Sequence, residues 1–157
     1  QPDRAYFGQK DAQQAAVIQQ MAKDLNMNIE IRTSPIVREE DGLALSSRNV
    51  YLSEEERKQA VVLHKSLQLA QELVDREPHI SASDLHDRVA AHIQTAPLAR
   101  IDYVEIMSYP ELAPLPASEP VQQILQTQSV IVALAVFFGK TRLIDNCILE
   151  ARHASVE

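Results

Sequence analysis

The feature that most constrains the fold of this chain is an apolar run near its end. Residues 129–138 read Ser-Val-Ile-Val-Ala-Leu-Ala-Val-Phe-Phe, and every residue after the first is apolar. A run of this length without polar alternation is typical of a strand that is buried on both faces. Gly139-Lys140 comes next and favours a two-residue type II′ turn, which takes glycine in its first position. The sequence therefore predicts a β-hairpin whose second strand is formed by residues 141–149.

Two helices and a third strand are predicted before this hairpin. Ser53 begins a Ser-Glu-Glu-Glu capping box, and the helix that follows it extends to about Arg76. Ser81 or Ser83 would cap the second helix, and residues 101–107 are typical of a strand. Both helices carry apolar residues at helical spacing, which are Ala60, Leu63, Leu67, Ala70 and Val74 in the first and Leu85, Val89, Ile93 and Ala96 in the second.

A different order of elements is predicted at the start of the chain. A helix begins near Asp11, and residues 28–32 alternate in polarity and predict a strand that ends by Pro35. The apolar face of that helix would consist of Ala15, Ile18, Ala22 and Leu25. A helix followed by a strand is typical of the end of an α/β unit. We therefore expect residues 1–46 to be the tail of an α/β domain, and residues 47–157 to form an α+β domain with two helices and a three-stranded antiparallel sheet.

Composition narrows the classes of function. The net charge is −7, whereas a general nucleic-acid surface requires a basic surplus, so we expect no nucleic-acid partner. No apolar run reaches the roughly 18 residues of a membrane span, so we expect no membrane partner. The single cysteine, Cys147, has no internal disulfide partner, which favours a reducing, cytoplasmic compartment. Cys/His zinc sites need more cysteine than this, and we predict no metal site in the chain.

The first cluster of candidate functional residues is Gly8-Gln9-Lys10-Asp11, with Gln14 about one turn further along the predicted helix. Gly8 and Lys10 come just before the start of that helix, where backbone N–H groups and the helix dipole favour an anion. Lys10 would add a compact positive charge for a phosphate, and Asp11 could accept hydrogen bonds from ribose hydroxyls. An ordinary glycine turn before a capped helix has the same pattern, because Gly-x-Lys-Asp is a weak motif.

The second cluster is Leu45-Ser46-Ser47-Arg48-Asn49. Two hydroxyl side chains beside an arginine suit phosphate oxygens, because arginine presents a planar fork of donors and serine adds O–H and N–H donors. By pattern alone, an inert polar loop before the capped helix is the more common explanation of these residues.

Three separated segments together carry a resemblance that no single segment would. They are residues 2–14 (PDRAYFGQKDAQQ), 37–52 (VREEDGLALSSRNVYL) and 141–146 (TRLIDN). In this order and at these separations they resemble the pantoate–β-alanine ligase family, within the adenylate-forming nucleotidyltransferase superfamily. The resemblance implies that residues 1–46 end a Rossmann-like nucleotide-binding domain and that residues 47–157 act as a C-terminal lid.

The resemblance also implies a reaction and its cofactors. Pantoate would attack the α-phosphate of ATP, with Mg²⁺ accompanying the ATP, to give pantoyl adenylate and pyrophosphate. The amine of β-alanine would then displace AMP to form pantothenate. The implied partners are thus three small molecules, and a homodimer is a further possibility.

Specific residues acquire roles from the same resemblance. The residues implied in ATP binding are Gly8, Gln9, Lys10, Asp11, Val37, Leu45, Ser46, Ser47 and Arg48. Of these, Asp11 would face the ribose and Val37 would meet the adenine through its backbone. Gln14 would hold pantoate. Catalysis would rest on Lys10, Ser46, Ser47 and Arg48, because displacement at phosphorus requires positioning and charge stabilisation rather than a protein nucleophile.

One signature of the family is missing from the sequence. The family carries His-x-Gly-His in an N-terminal Rossmann-like domain, and that spacing does not occur in this chain, which begins with Gln1. We therefore expect the C-terminal half of the enzyme, inactive in the full reaction by itself. Two alternatives remain open: a non-catalytic lid or docking fragment, and a related adenylyl-transferring enzyme with a different carboxylate substrate.

Overall fold

The computed structural model of the protein describes residues 2–152. Gln1 and residues 153–157, which the two predicted domains include, lie outside the described residues. The strands are β1 (Arg4–Gly8), β2 (Glu30–Ser34), β3 (Ala99–Tyr109), β4 (Ser129–Phe138) and β5 (Thr141–Leu149). The helices are α1 (Ala12–Asp24), α2 (Glu54–Ala60), α3 (Val62–Arg76), α4 (Ala82–Ile93) and α5 (Val121–Ile124). Two short 3₁₀ turns cover Gln9–Asp11 and Ser47–Tyr51.

The predicted hairpin forms the larger part of the antiparallel sheet. Its strand order is β3-β4-β5, so the apolar strand β4 is central and pairs on both sides. Gly139 has φ +61° at the turn, the left-handed conformation that glycine adopts without steric cost. The three-stranded antiparallel sheet and its packed helices confirm the predicted α+β class.

The two helix caps also match the sequence. The Ser53 hydroxyl accepts a bond from the Glu56 N–H at 3.1 Å, and the Glu56 carboxylate accepts one from the Ser53 N–H at 2.8 Å. The Ser81 hydroxyl accepts a bond from the Asp84 N–H at 3.0 Å and caps α4. All nine apolar positions predicted for these helices are buried, at 7% exposure or less.

The prediction of one continuous helix from Ser53 to Arg76 was wrong in one detail. The structure divides it at Val61 into α2 and α3. Val61 has φ −62° and ψ −16°, close to helical values, so the chain tightens locally and continues in the same general conformation. Because the apolar spacing runs through this position unchanged, the pattern contains no signal of the break.

At the start of the chain, β1 and β2 form a two-stranded parallel sheet with α1 between them in sequence. Strand β2 lies two residues later than predicted, since Arg4 pairs with Glu30 and Gly8 with Ser34. The strand ends before Pro35, as expected. Helix α1 buries Ala15 and Ala22, but Leu25 is 66% exposed, which corrects its predicted place on the buried face. Leu25 follows the last helical residue, where no turn of α1 remains to hold it against a neighbour.

The sheet has a helical side and a side that faces the start of the chain. Val132, Leu134 and Leu143 belong to the main core with helices α3 and α4. Ile131 and Ala133 point the other way and pack with Ala12, the first residue of α1. The sheet therefore holds the start of α1 close to β4 and β5, which is where the candidate functional residues meet. Within residues 2–152, no helix combines the length and the hydropathy that crossing a bilayer would require.

Candidate functional site

The segment before the serine pair forms a tight antiparallel loop. Glu39 N–H donates to Leu43 O at 2.8 Å, and Leu45 N–H donates to Val37 O at 2.9 Å. Gly42 adopts φ +97° against the ring of His64, and a Cβ on Gly42 would lie 2.0 Å from that ring. A side chain at residue 42 is therefore excluded both by backbone strain and by contact. We call residues 37–45 the anchor loop.

The serine pair and Arg48 emerge directly from the anchor loop. The Ser46 hydroxyl accepts a bond from the Arg48 N–H at 3.2 Å and so caps the second 3₁₀ turn. Arg48 is exposed, and its Nη1 donates to the backbone oxygen of Arg142 in β5 at 3.3 Å. Asn49 ties the turn back to the anchor loop, since its Nδ2 donates to Ala44 O at 3.1 Å. These bonds place Ser46 and Arg48 beside the edge strand β5.

Lys10 reaches the same place from the opposite end of the sequence. It lies in the first 3₁₀ turn between β1 and α1, and its Nζ donates to Leu45 O at 3.3 Å. Asp11 occupies the N-cap position of α1, but its side chain makes no capping hydrogen bond. The Asp11 carboxylate is therefore available to another partner at this position.

Two adjoining cavities open between these segments and the sheet. One has a volume of about 270 Å³ and is lined by Lys10, Asp11 and Gln14 from the start of the chain and by Tyr103 and Arg142 from the sheet. The other has a volume of about 300 Å³, and Ser46 and Arg48 join its lining. Lys10, Asp11, Arg142 and Ile144 line both cavities. The two predicted clusters therefore share one concave surface, although 35 residues separate Lys10 from Leu45.

Positive charge dominates the shared surface. Lys10, Arg48 and Arg142 bring three cations to the second cavity, against the single carboxylate of Asp11. Desolvation by burial lowers the pKa of Lys10, Asp11 and Asp145 oppose that shift, and Arg48 adds to it. Because burial penalises a charged amine that lacks enough neighbouring anion, an incoming phosphate would be stabilised by this lysine and would raise its pKa. The arrangement suits a polyphosphate ligand.

Comparison with known proteins identifies the family of this chain. A model of the family described as pantoate–β-alanine ligase matches residues 1–148. The chain belongs to this family. A pantothenate synthetase from Acetivibrio thermocellus is 57% identical over 150 residues, which cover 96% of this chain and 50% of the relative. One from Clostridioides difficile is 53% identical over 149 residues, which cover 95% of this chain and 50% of the relative.

Solved structures of the family agree with the fold. A pantothenate synthetase from Thermus thermophilus superposes with a TM-score of 0.77 at 41% identity, over 92% of this chain and 49% of that one. A pantoate–β-alanine ligase from Francisella tularensis, complexed with β,γ-ATP and β-alanine, has a TM-score of 0.54 at 25% identity, over 93% of this chain and 43% of that one. The chain spans about half the length of the relatives it matches.

The structure brings together only some of the residues that the family resemblance implies. Lys10, Asp11, Gln14, Ser46 and Arg48 line the two cavities. The other implied residues, Gly8, Gln9, Val37, Leu45 and Ser47, are outside the lining of both. The side chain of Val37 is 67% exposed and its carbonyl is bonded to Leu45 N–H, within the anchor loop. The Gln9 side chain is directed to Asn146, at 3.3 Å.

Sequence reasoning missed several residues that shape the site. Arg142 lines both cavities, donates through Nε to Asp102 at 3.0 Å, and places its guanidinium 5.6 Å from the ring centre of Tyr103. Arg142 lies in residues 141–146, one of the three segments that resemble the family, and this position was the signal that could have marked it as a site residue. Asp145 and Asn146 interrupt an apolar strand, which marks them as unusual without revealing what they bind.

Two other features of the chain lie apart from this chemistry. Cys147 contacts the helical side of the sheet near Leu67 O, and burial raises the pKa of its thiol to about 12. A protonated thiol is a poor nucleophile, which argues against a catalytic role for Cys147. The described residues contain no group of three or more His, Cys, Asp and Glu side chains arranged to hold a metal ion.

Proposed function

We propose that this chain is the C-terminal part of an ATP-dependent ligase that joins pantoate to β-alanine through a pantoyl-adenylate intermediate. The products are pantothenate, AMP and pyrophosphate. The observation that carries the proposal is the meeting of Lys10 with the Ser46–Arg48 segment around shared cavities, in a chain of the pantoate–β-alanine ligase family. The relative crystallised with β,γ-ATP and β-alanine supports the choice of small-molecule substrates.

The proposed mechanism assigns charge stabilisation to residues of this chain. Attack of the pantoate carboxylate on the α-phosphorus of ATP builds negative charge on the phosphate oxygens and on the departing pyrophosphate. Lys10 and Arg48 stabilise that charge from two sides, and Ser46 and Ser47 donate hydrogen bonds. The β-alanine amine then attacks the acyl carbon of pantoyl adenylate, and AMP leaves with the electron pair of the broken acyl–phosphate bond. No side chain of this chain is needed as a nucleophile.

The remaining roles position the substrates. Asp11 lines both cavities without a capping bond, which suits a carboxylate that accepts from ribose hydroxyls. Gln14 lines the first cavity only, so pantoate would lie there. Gly8, Gln9, Leu45 and the backbone of Val37 keep their proposed places around ATP. Mg²⁺ that accompanies ATP would be held mainly through the substrate's phosphates and water, and would neutralise part of the phosphate charge.

The proposal also covers the cellular compartment and the oligomeric state of the enzyme. The single cysteine favours a cytoplasmic location, in a reducing compartment. A homodimer is the proposed assembly. Neither point enters the mechanism, so both can be tested separately by fractionation and by the mass of the protein in solution.

A second candidate, a non-catalytic lid or docking fragment, is favoured by one observation. The chain covers only about half of each relative and has no His-x-Gly-His sequence. On this view the two phosphate-binding segments are inert until the other half of the enzyme is present. A related enzyme that adenylylates another carboxylate would instead be recognised by its substrate preference.

Calorimetric titration with MgATP tests the main proposal. We expect saturable binding that Lys10→Ala weakens strongly but leaves measurable, and that Lys23→Ala leaves unchanged, since Lys23 is an exposed lysine in the last turn of α1. Absence of binding by the unaltered chain would contradict the proposed site. Pantothenate formation would then be measured for this chain alone and mixed with the N-terminal half of the Acetivibrio thermocellus relative. Product only in the mixture supports the main proposal if this chain alone binds MgATP, and the non-catalytic fragment if it does not. Product from another carboxylate supports the related enzyme.

A further inference from the structure

Two consecutive polar residues are buried in the edge strand β5. Asp145 is 2% exposed and Asn146 is 3% exposed, in a strand whose other buried residues are mostly apolar. Successive side chains of a strand point to opposite faces of the sheet. Asp145 is on the face of Leu143, which belongs to the main core, and Asn146 is on the face of Ile148. The pair therefore reaches two different parts of the molecule from one point of the strand.

Asp145 binds the anchor loop. Its carboxylate accepts from both terminal nitrogens of Arg38, at 2.7 Å and 2.9 Å, a two-pronged pair that fixes orientation as well as distance. The same guanidinium donates to Gly42 O at 3.1 Å, so Arg38 ties the tip of the loop to β5. Because the side chain of Asp145 is only 1% exposed, removal of Arg38 would leave the charge of Asp145 buried without compensation.

Asn146 binds the first 3₁₀ turn. Its Nδ2 donates to the backbone oxygens of Gln9 and Lys10, at 2.8 Å and 3.2 Å, and its Oδ1 accepts from Gln9 Nε2 at 3.3 Å. The N–H of Asn146 donates to the Asp145 carboxylate at 2.8 Å, so the two buried residues are also bonded to each other. The amide of Asn146 therefore holds the backbone from which Lys10 projects.

From this geometry we propose that Asp145 and Asn146 are positioning residues that set the distance between Lys10 and the Ser46–Arg48 segment. Among the described residues, one exposed hydrogen bond runs directly from Lys10 toward this segment, and it reaches Leu45 O, the residue before Ser46. A single exposed bond of a flexible lysine cannot hold two loops in register, whereas the buried bonds to β5 can. The inference about phosphate chemistry rests on the proposed function, but the inference about loop position does not.

A distance measurement tests the positioning without any nucleotide. Spin labels would be attached to Val17→Cys on α1 and Val50→Cys beside Arg48, in a Cys147→Ala background, since Val17 and Val50 are 63% and 79% exposed. Double electron–electron resonance gives the distribution of distances between the labels. We expect one narrow distribution for this background, a clearly broader one for Asn146→Ala, and no change for Ile148→Val, a substitution on the same face of β5. Equal widths for Asn146→Ala and Ile148→Val would overturn the proposal.

A binding cycle then asks whether Asn146 acts through Lys10. Asn146 lines the first cavity but not the second, which Ser46 and Arg48 line. We expect Asn146→Ala to weaken MgATP binding about tenfold, the effect of losing buried hydrogen bonds. In a Lys10→Ala background the same change should have no further effect, because residues that act as a unit are not additive. Full additivity would overturn the inference. If the unaltered chain does not bind MgATP, the proposed function fails, and the label distances still decide the positioning role.

Asp145→Asn extends the test to the contact between Asp145 and the anchor loop. It keeps the shape of the side chain but removes the charge that Arg38 needs, so the anchor loop should move while the first 3₁₀ turn stays in place. We expect Asp145→Asn to broaden the same distribution of distances between the labels. Asn146→Asp is the corresponding change at the neighbouring residue, because it removes the Nδ2 donors. If Asp145→Asn does not fold, the positioning proposal is still decided by Asn146→Ala, which is the milder change.

Discussion

The two ends of the chain use their apolar residues in opposite ways. Residues 47–152 bury large side chains completely, and Leu63, Leu85 and Ile93 are at most 1% exposed. In residues 2–46 the buried side chains of α1 are all alanines, whereas Leu25 is 66% exposed. The α+β region therefore owes its stability to burial of apolar area, and the start of the chain is held by close approach of small residues and by polar bonds to β5. Apolar burial is thus concentrated in residues 47–152, whereas the site takes Lys10 and Asp11 from the start of the chain and Arg48 and Arg142 from the α+β region.

The largest expected contrast between the regions is in thiol reactivity. Cys147 has a pKa of about 12, since burial penalises its thiolate, whereas an exposed cysteine titrates near 8.5. At pH 8 a Val17→Cys, Cys147→Ala variant should therefore react with iodoacetamide at least about tenfold faster than the natural cysteine. Alkylation rates followed by mass spectrometry measure this. In 8 M urea the two rates should converge, and similar rates in the folded proteins would contradict burial of Cys147.

The same substitution made in both regions gives the next contrast. Leu85→Ala empties a fully buried position in α4, and we expect it to lower the free energy of unfolding by about 3 kcal/mol. Leu25→Ala removes an exposed side chain, and we expect a change within about 0.5 kcal/mol. Urea unfolding followed by circular dichroism would report both values. A large cost at Leu25 would mean that a partner covers that end of α1 in solution.

A smaller contrast compares the N-caps of α2 and α1. Ser53→Ala removes the hydroxyl of a complete capping box, and we expect a loss of about 1 kcal/mol of unfolding free energy. Asp11→Ala removes a residue at the N-cap position that makes no capping bond, so the loss should be much smaller. Thermal unfolding of the two variants without nucleotide makes the comparison. An equal loss at both positions would show that Asp11 caps α1 in solution.

The smallest contrast concerns acid stability. Hydrogen bonding to Arg57 lowers the pKa of Asp41, and hydrogen bonding to Arg32, with a further contribution from Arg4, lowers that of Glu30. A lowered carboxylate pKa adds stability above its unfolded value, near pH 4, and that stability is lost as the pH falls through the folded pKa.

Asp41→Asn should therefore flatten the acid limb of the stability curve. The effect should be under about 1 kcal/mol, because the Asp41 side chain is 46% exposed and solvent screens the pair. Glu30 is more exposed still, at 50%, so Glu30→Gln serves as the weaker comparison. Urea midpoints from pH 5 to pH 2, at low and high salt, measure both. A salt-independent effect would contradict the exposed geometry of these pairs.

Sequence reasoning predicted the local structure of the α+β region closely. The hairpin turn at Gly139, the caps at Ser53 and Ser81 and the buried faces of the helices all depend on neighbours within a few residues. The same reasoning failed at Val61 and Leu25, where an unchanged apolar spacing hides a tightened turn and a helix end. For the site, it selected the segments of Lys10 and Arg48 and gave Arg142 no role.

What the sequence determined by itself is therefore the set of elements and two phosphate-suited segments. What only the tertiary structure decided is how these segments meet. Arg38 and Asp145 are 107 residues apart in sequence, and Gln9 and Asn146 are 137 apart. Periodicity and capping report interactions within one or two turns, whereas these contacts depend on which strand lies at the edge of the sheet. Burial of Asp145 and Asn146 at that edge is what brings Lys10 beside Arg48.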